Sequence, residues 1–453
     1  MRVVNSGLAS LYARIDMIRR AKKSIDLESF IFNPDLAGKV ILKELAEAAK
    51  RGVKVRVLVD KSPATFKMNE YIAEVMKEHN LEIRYYNPAP IYKLSSVQFR
   101  NHRKLLVRDG EEAITGGRNV ADEYYDLSRD FNFLDRDITV EGEVVKSMHD
   151  TFNNFWDSKL VEIPKKVEEP TPQPDVYGED HHYRSKKYYY DKHQKFARSL
   201  FEPDEEVEKV LKLLDKEGKE SFLEYEKRTC PEVSFASDRE GASFTESLNP
   251  DKYKAKYRFV QREILNWMEH KIKDEVVIDT PYFLNNSITE KLFNYLEQKK
   301  ARVKLFTNSL ASTDAIHVST VFNDSVTSFN AHENFDAYVY KGKYSGERKI
   351  HSDEIKKATW GTHSKSIVFS DESFMIGSFN IDNRSSYYNT ELAIFCSGSP
   401  ELTHDVKDNI QKRMDNSFKL DSDDCDVNAD VGFFKQTMYY LLKIPSHLFE
   451  HLL

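Results

Sequence analysis

Apolar residues recur along the first part of the chain at two spacings that alternate. Leu8, Leu11, Tyr12, Ile15 and Ile18 repeat at helical intervals as far as Ala21, which predicts an amphipathic helix. Residues 24–32 (SIDLESFIF) then read as a strand, and residues 38–50 as a helix with Leu42, Leu45, Ala46 and Ala49 on one face. Residues 53–60 (VKVRVLVD) follow as an apolar strand. Strand, helix, strand in so short a stretch is a βαβ unit, which requires a largely parallel sheet covered by helices. The same order returns later, with a strand over 276–283 (VVIDTPYF), a helix over 288–299 and a strand over 302–308 (RVKLFTN). Residues 27–32 lie over 278–283 and residues 55–60 over 303–308. The repeat unit is therefore a domain, not a solenoid turn.

The stretch between the copies has another character. EEPTPQP (168–174) is a linker signal. Residues 177–195 are aromatic and charged, without an apolar period, and Tyr188, Tyr189 and Tyr190 fit either a lipid-facing wedge or a buried strand. His181, His182 and His193 read as solvated loop residues, because no Cys or acidic spacing around them matches a zinc site. Residues 205–214 predict a short amphipathic helix through Val207, Val210, Leu211 and Leu214, and 231–237 (PEVSFAS) open the second sheet. The expected organisation is a first domain over 1–160, a partly helical insert over 161–229 and a second domain over 230–453. The tail over 433–453 (FFKQTMYYLLKIPSHLFEHLL) fits an interfacial amphipathic anchor and a terminal helix interrupted by Pro445 equally well.

Composition adds bounds. The 453 residues suit two domains, and 40% hydrophobic content supplies their cores. Lys+Arg and Asp+Glu, 67 against 74, leave a net charge of −7, which argues against a globally basic nucleic-acid coat. No run approaches the roughly 18 apolar residues of a membrane span, and no export signal is visible. Cys230, Cys396 and Cys425 are far apart and odd in number, so no disulfide is expected and a reducing compartment is implied.

Each copy carries one chemical constellation. The first is HRKLLVRDGEEAITGGRN, from His102 to Asn119, and the second HSKSIVFSDESFMIGSFN, from His363 to Asn380; His to Asn is 17 residues in both. His102 and Lys104, like His363 and Lys365, stand two apart on strand-like runs, so imidazole and ammonium share a face. Gly116 and Gly117, and Gly377 and Ser378, let backbone N–H groups approach a ligand, and Asn119 and Asn380 add amide donors. Lysine, asparagine and N–H donors around a histidine suit a tetrahedral anion such as a phosphoryl group. Asp137, in DRDITV, and Glu391, in NTELAIF, are the carboxylates expected to orient the histidine of their own half.

His102, Lys104, Asp109, Gly116 and Asn119 resemble the HKD signature of the phospholipase D superfamily. His363, Lys365 and Asn380 repeat it, with Ser370 at the Asp position. The flanking GGRNVADEYYD, DTPYFL, LFTNSLASTDAIHV and GSFNIDNRSSYYNTE are similar to bacterial cardiolipin synthases. The resemblance implies a duplicated α/β fold, two mixed or parallel sheets side by side and flanked by helices, with a pseudo-two-fold active site between the halves. It further implies metal-free, cofactor-free phosphatidyl transfer through a phosphohistidine, with His102 as nucleophile, His363 as acid/base and Asp109 structural. Phosphatidylglycerol, or else phosphatidylethanolamine, is the implied glycerophospholipid substrate. A bacterial monomer, peripheral on the membrane or cytoplasmic and without a nucleic-acid partner, is the implied setting. A phospholipase D-type hydrolase, a nuclease and an inactive lipid-binding scaffold are the alternatives.

Overall fold

The computed structural model describes residues 1–89, 94–171, 181–241, 250–344, 346–420 and 431–448. Cys425, residues 172–180 of the insert and residues 449–453 of the tail lie outside them.

Two eight-stranded sheets have the same strand order and the same pattern of directions. The first runs Arg2–Val4, Asp137–Glu141, Glu112–Gly116, Leu105–Arg108, Ser24–Ser29, Lys54–Asp60, Leu81–Tyr86, Val161–Glu162. The second runs Glu232–Ser237, Leu392–Ser397, Ser373–Gly377, Ser366–Ser370, Glu275–Asp279, Arg302–Asn308, Phe335–Tyr340, Ser417–Lys419. In each, three neighbouring strands are parallel, Ser24–Ser29 to Lys54–Asp60 to Leu81–Tyr86 and Glu275–Asp279 to Arg302–Asn308 to Phe335–Tyr340. The hairpins carrying the signature residues are antiparallel. The βαβ reading thus accounts for three of the eight strands of each sheet. The rest pair antiparallel with their neighbours, and in each sheet the hairpin that follows the signature histidine is closed by a tight turn.

The crossover helices form where the period says, and their first turns are capped by the residues that favour it. Ser6 accepts from Ala9 N–H ahead of the helix Gly7–Arg20, Asp35 from Gly38 N–H ahead of Leu36–Lys50, and Asn286 from Ile288 N–H ahead of Ser287–Lys299. One apolar cluster lies on the outer helices of each half. A third, between the sheets, draws on both halves: Leu105, Val107, Leu134 and Trp156 from the first, Val277, Phe306, Trp360 and Leu392 from the second. This shared core clamps the sheets together, and the strands that follow the signature histidines lie on it.

Two expectations need correction. Cys230 and Cys396 form a disulfide, with Cα atoms 5.9 Å apart and a separation of 166 positions in sequence. Strand pairing brings them together: Val233 lies opposite Cys396, and Cys230 precedes that strand. Spacing along the chain does not reveal such a contact, and the cysteine count carries no argument for a reducing compartment. The aromatic insert is neither a loop nor a strand but a helix, His181–Ser199. It docks on the helix Glu70–Glu78, where Tyr71 meets Tyr190 and stacks on His193, and Arg198 pairs with Glu78. Docking through scattered rings leaves no apolar stripe to read, while Tyr188 and Tyr189 stay exposed.

The tail helix Phe433–Leu448 continues through Pro445 and packs on the helix Ile316–Asn330. Tyr439 is buried there, and Tyr440 and Leu441 are exposed. Among the described residues no helix is long and apolar enough to cross a membrane.

Candidate active site

Each signature histidine is delivered by a short segment that pairs with the opposite half. His102 N–H donates to Thr390 O at 3.0 Å, and Thr390 N–H donates back to Arg100 O at 2.9 Å. In mirror fashion Thr359–Thr362 runs parallel to Phe131–Leu134, and His363 N–H donates to Leu134 O at 2.8 Å. The residue after Thr390 is Glu391, and the residue after Leu134 is Asp135. Backbone register across the halves therefore sets each imidazole beside the other half's carboxylate.

The side chains complete that exchange. His102 Nδ1 lies 3.0 Å from Glu391 Oε1, and His363 Nδ1 lies 2.7 Å from Asp135 Oδ2. Both carboxylates are fully buried, and each histidine is under a tenth exposed. A carboxylate that accepts from Nδ1–H fixes the tautomer and leaves Nε2 for chemistry. The expectation that each acid serves its own half is overturned, and so is the choice of Asp137. Asp137 pairs with Arg14 at 2.9 Å and Arg118 at 3.3 Å and accepts from Ser10, away from either ring. Asp135 and Asp137 stand two apart in sequence, so alternation alone could not separate them. Sheet register does: Gly116 lies opposite Asp137 and Gly377 opposite Ala393, so Asp135 is the counterpart of Glu391.

The glycines act on these acids. A Cβ on Gly117 would stand 2.1 Å from Asp135 Oδ1, and one on Gly116 2.3 Å from Arg136 O. Their N–H groups do not face a ligand: Gly117 donates to Arg136 O and Gly377 to Lys365 O. The Gly-Gly pair therefore makes room for the carboxylate that holds His363. In the second copy Ser378 fills that space and donates to Glu391 Oε2, while Ser385 donates to Glu391 Oε1 at 2.8 Å.

Lys104 and Lys365 are buried, and each donates to the carbonyl of its own histidine. Burial and the charges of both lysines hold His102 and His363 well below the usual imidazole value. Burial likewise draws Lys104 down to about 7 and Lys365 to about 8, and pushes Glu391 up to about 7. Each lysine acts on both imidazoles, so the four groups share one pocket. An arriving phosphoryl anion would stabilise all of the cationic forms that burial disfavours.

Asn119 donates to Tyr124 OH at 3.0 Å and accepts from Ile31 N–H, and the Tyr124 ring meets His363 edge-on. Asn380 Oδ1 is buried without a partner among the described residues. Asp109 stands outside the pocket. At φ +55° it accepts from the N–H groups of Lys22, Lys23 and Ser24 and so fixes the start of a central strand. Its counterpart Ser370 instead bonds Ser373. Unread in the sequence were the braces behind the pocket. Glu28 accepts from Asn101 and Arg103, and Asp60 accepts from Asn101 N–H and Arg100. Acids at the ends of the parallel strands were the signal available for them. Among the described residues no three His, Cys, Asp or Glu side chains converge as a metal centre requires.

Comparison with known proteins places the chain in a family. A family model for the cardiolipin synthase PLD-like domain matches residues 14–156 and 270–415. An uncharacterised protein of Helicobacter pylori strain J99 is 27% identical over 444 residues, 92% of this chain and 80% of that protein. Cardiolipin synthase C of Escherichia coli K12 is 28% identical over 173 residues, 36% of each chain. Cardiolipin synthase 2 of Bacillus anthracis is 32% identical over 157 residues, 34% of this chain and 30% of that one. In fold, a phosphatidylserine synthase of Haemophilus influenzae Rd KW20 superposes with a TM-score of 0.64 at 15% identity, covering 100% of this chain and 95% of its own. Matched once in each half, around a pocket built from both, the chain belongs to the PLD-like domain family of cardiolipin synthases, a phosphodiesterase and phosphatidyltransferase branch of the phospholipase D superfamily.

Proposed function

We propose that this protein is a cardiolipin synthase that transfers a phosphatidyl group from one glycerophospholipid to the glycerol hydroxyl of phosphatidylglycerol. The observation that carries this reading is the crossed pair His102–Glu391 and His363–Asp135 around two lysines. Nε2 of one imidazole attacks phosphorus while the other imidazole protonates the departing headgroup oxygen, so a P–N bond forms as a P–O bond breaks. The second imidazole, now neutral, takes the proton of the incoming hydroxyl, whose oxygen displaces the phosphohistidine nitrogen. Lys104, Lys365, Asn119 and Asn380 hold the non-bridging oxygens through both steps.

The relatives named as cardiolipin synthases support the choice of acceptor. Access to bilayer lipid is supported by the tail helix, whose exposed Tyr440 and Leu441 suit the headgroup boundary. Incubation of the purified protein with vesicles of phosphatidylglycerol and phosphatidylethanolamine, followed by mass spectrometry, tests the proposal. Cardiolipin is the expected product. Phosphatidic acid as sole product would make the protein a hydrolase, and no turnover would remove the transferase reading.

A further inference from the structure

The residues that serve phosphoryl transfer occur twice, once per half: histidine, lysine and asparagine at matching positions. A pocket residue that breaks the pseudo-symmetry serves something the chemistry does not, namely the difference between the two substrates. The position four residues after the signature asparagine does this most strongly. After Asn119 it is Glu123, and after Asn380 it is Arg384.

Both positions adjoin residues of the pocket. Tyr124, next to Glu123, places its ring edge-on to His363. Ser385, next to Arg384, donates to the Glu391 carboxylate that holds His102. The short helix Asn383–Tyr387 that carries Arg384 is fixed by Asp382, which accepts from Ser385 N–H at 2.7 Å. The Arg384 guanidinium is half-buried and has no hydrogen bond or ion pair among the described residues. Its charge is nonetheless felt by His102 and by Asp60. The carboxylates of Asp382, Asp60 and Glu391 act on it from a distance, while its own planar donors, not engaged by any of them, suit phosphate oxygens. Lys104 and Lys365 already face the single negative charge of the phosphodiester under attack. Arg384 is a further cation, whereas the matching position beside Tyr124 carries the acid Glu123, whose charge disfavours a second anion.

We infer that Arg384 is a specificity residue that holds the acceptor lipid's own phosphodiester, the one not being cleaved, against the His102 flank, while Glu123 keeps that group off the His363 flank. The inference rests on the transferase reading above and deepens it. An acceptor with a phosphodiester is then used in preference to one without, and it sits in one orientation.

The test compares two acceptors, phosphatidylglycerol in vesicles and free glycerol, as the ratio of their kcat/KM values. Arg384→Gln is expected to lower that ratio about tenfold or more, mainly through the KM for phosphatidylglycerol. Glu123→Gln is expected to raise it and gives a second reading should Arg384→Gln fail to match the wild-type melting curve. A ratio unchanged within about twofold in Arg384→Gln, with both acceptors losing equally, would assign the arginine to the transferred phosphoryl group and overturn the inference while leaving the transferase intact. A fall with Glu123→Gln would overturn it as well. Should the wild type turn over no phospholipid, calorimetric titration with glycerol 3-phosphate decides the matter separately: binding weakened about tenfold by Arg384→Gln upholds the anion site, and equal affinity removes it.

Discussion

Glu391 and Asp135 are the residues on which the rest of the pocket depends, because each fixes the tautomer of a histidine that belongs to the other half. Asp135→Asn and Glu391→Gln keep the shape of the pocket but allow the wrong tautomer. Each is expected to lower kcat by roughly a hundredfold or more with an unchanged circular dichroism spectrum. The lysines set the pH behaviour. A lysine is cationic below its pKa, so anion binding is lost as pH rises through about 7 for Lys104 and about 8 for Lys365. The kcat/KM profile should therefore fall on its alkaline side in that window. The bound phosphodiester raises both lysine values, so the corresponding limb of kcat should appear at higher pH; coincident limbs would count against lysine titration as the cause.

Among the elements, the edge strand Glu232–Ser237 bears most directly on the pocket. It pairs with Leu392–Ser397, and Asp238 at its end accepts from Glu391 N–H at 3.0 Å, so the strand helps place the carboxylate that holds His102. The Cys230–Cys396 bridge fastens the other end of the same pair. Cys230→Ser is expected to cost about 2–5 kcal/mol of stability in the absence of reductant, read as a lower denaturant midpoint. Peptide mapping of the unreduced wild type should recover the two cysteines joined. The tail helix makes a separate prediction: Tyr440→Ser with Leu441→Ser removes the exposed apolar pair without touching buried Tyr439, and should weaken sedimentation with anionic vesicles. Equal sedimentation would leave the helix as packing alone.

For the molecule as a whole, the join between the halves is both an apolar core and a chain of buried charges. Arg136 of the first half and Arg413 of the second both reach Asp279, at 3.2 and 2.8 Å. Arg413 continues to Glu347, and Arg348 beside it pairs with Asp126 of the first half at 2.7 Å. All of these side chains are largely removed from water, so losing one partner strands the others. Asp279→Asn leaves two buried guanidinium groups underpaired and should cost about 3–5 kcal/mol in thermal or denaturant unfolding. Because the pocket is assembled from both halves, activity should fall together with this join, although Asp279 is not proposed to touch substrate.

The sequence by itself determined the duplication, the βαβ units and the two signature motifs. These are recorded locally: a helical or strand period and a fixed spacing survive in one dimension because neighbouring residues share an element. Tertiary structure alone decided which acid serves which histidine, why Gly117 is small and that Cys230 meets Cys396. Each of these depends on register between strands far apart in the chain. The exchange of acids between halves is the clearest case. Reading each copy as a closed unit assigns Glu391 to His363, whereas pairing of residues 100–102 with Thr390 and of Thr359–Thr362 with Phe131–Leu134 reverses the assignment.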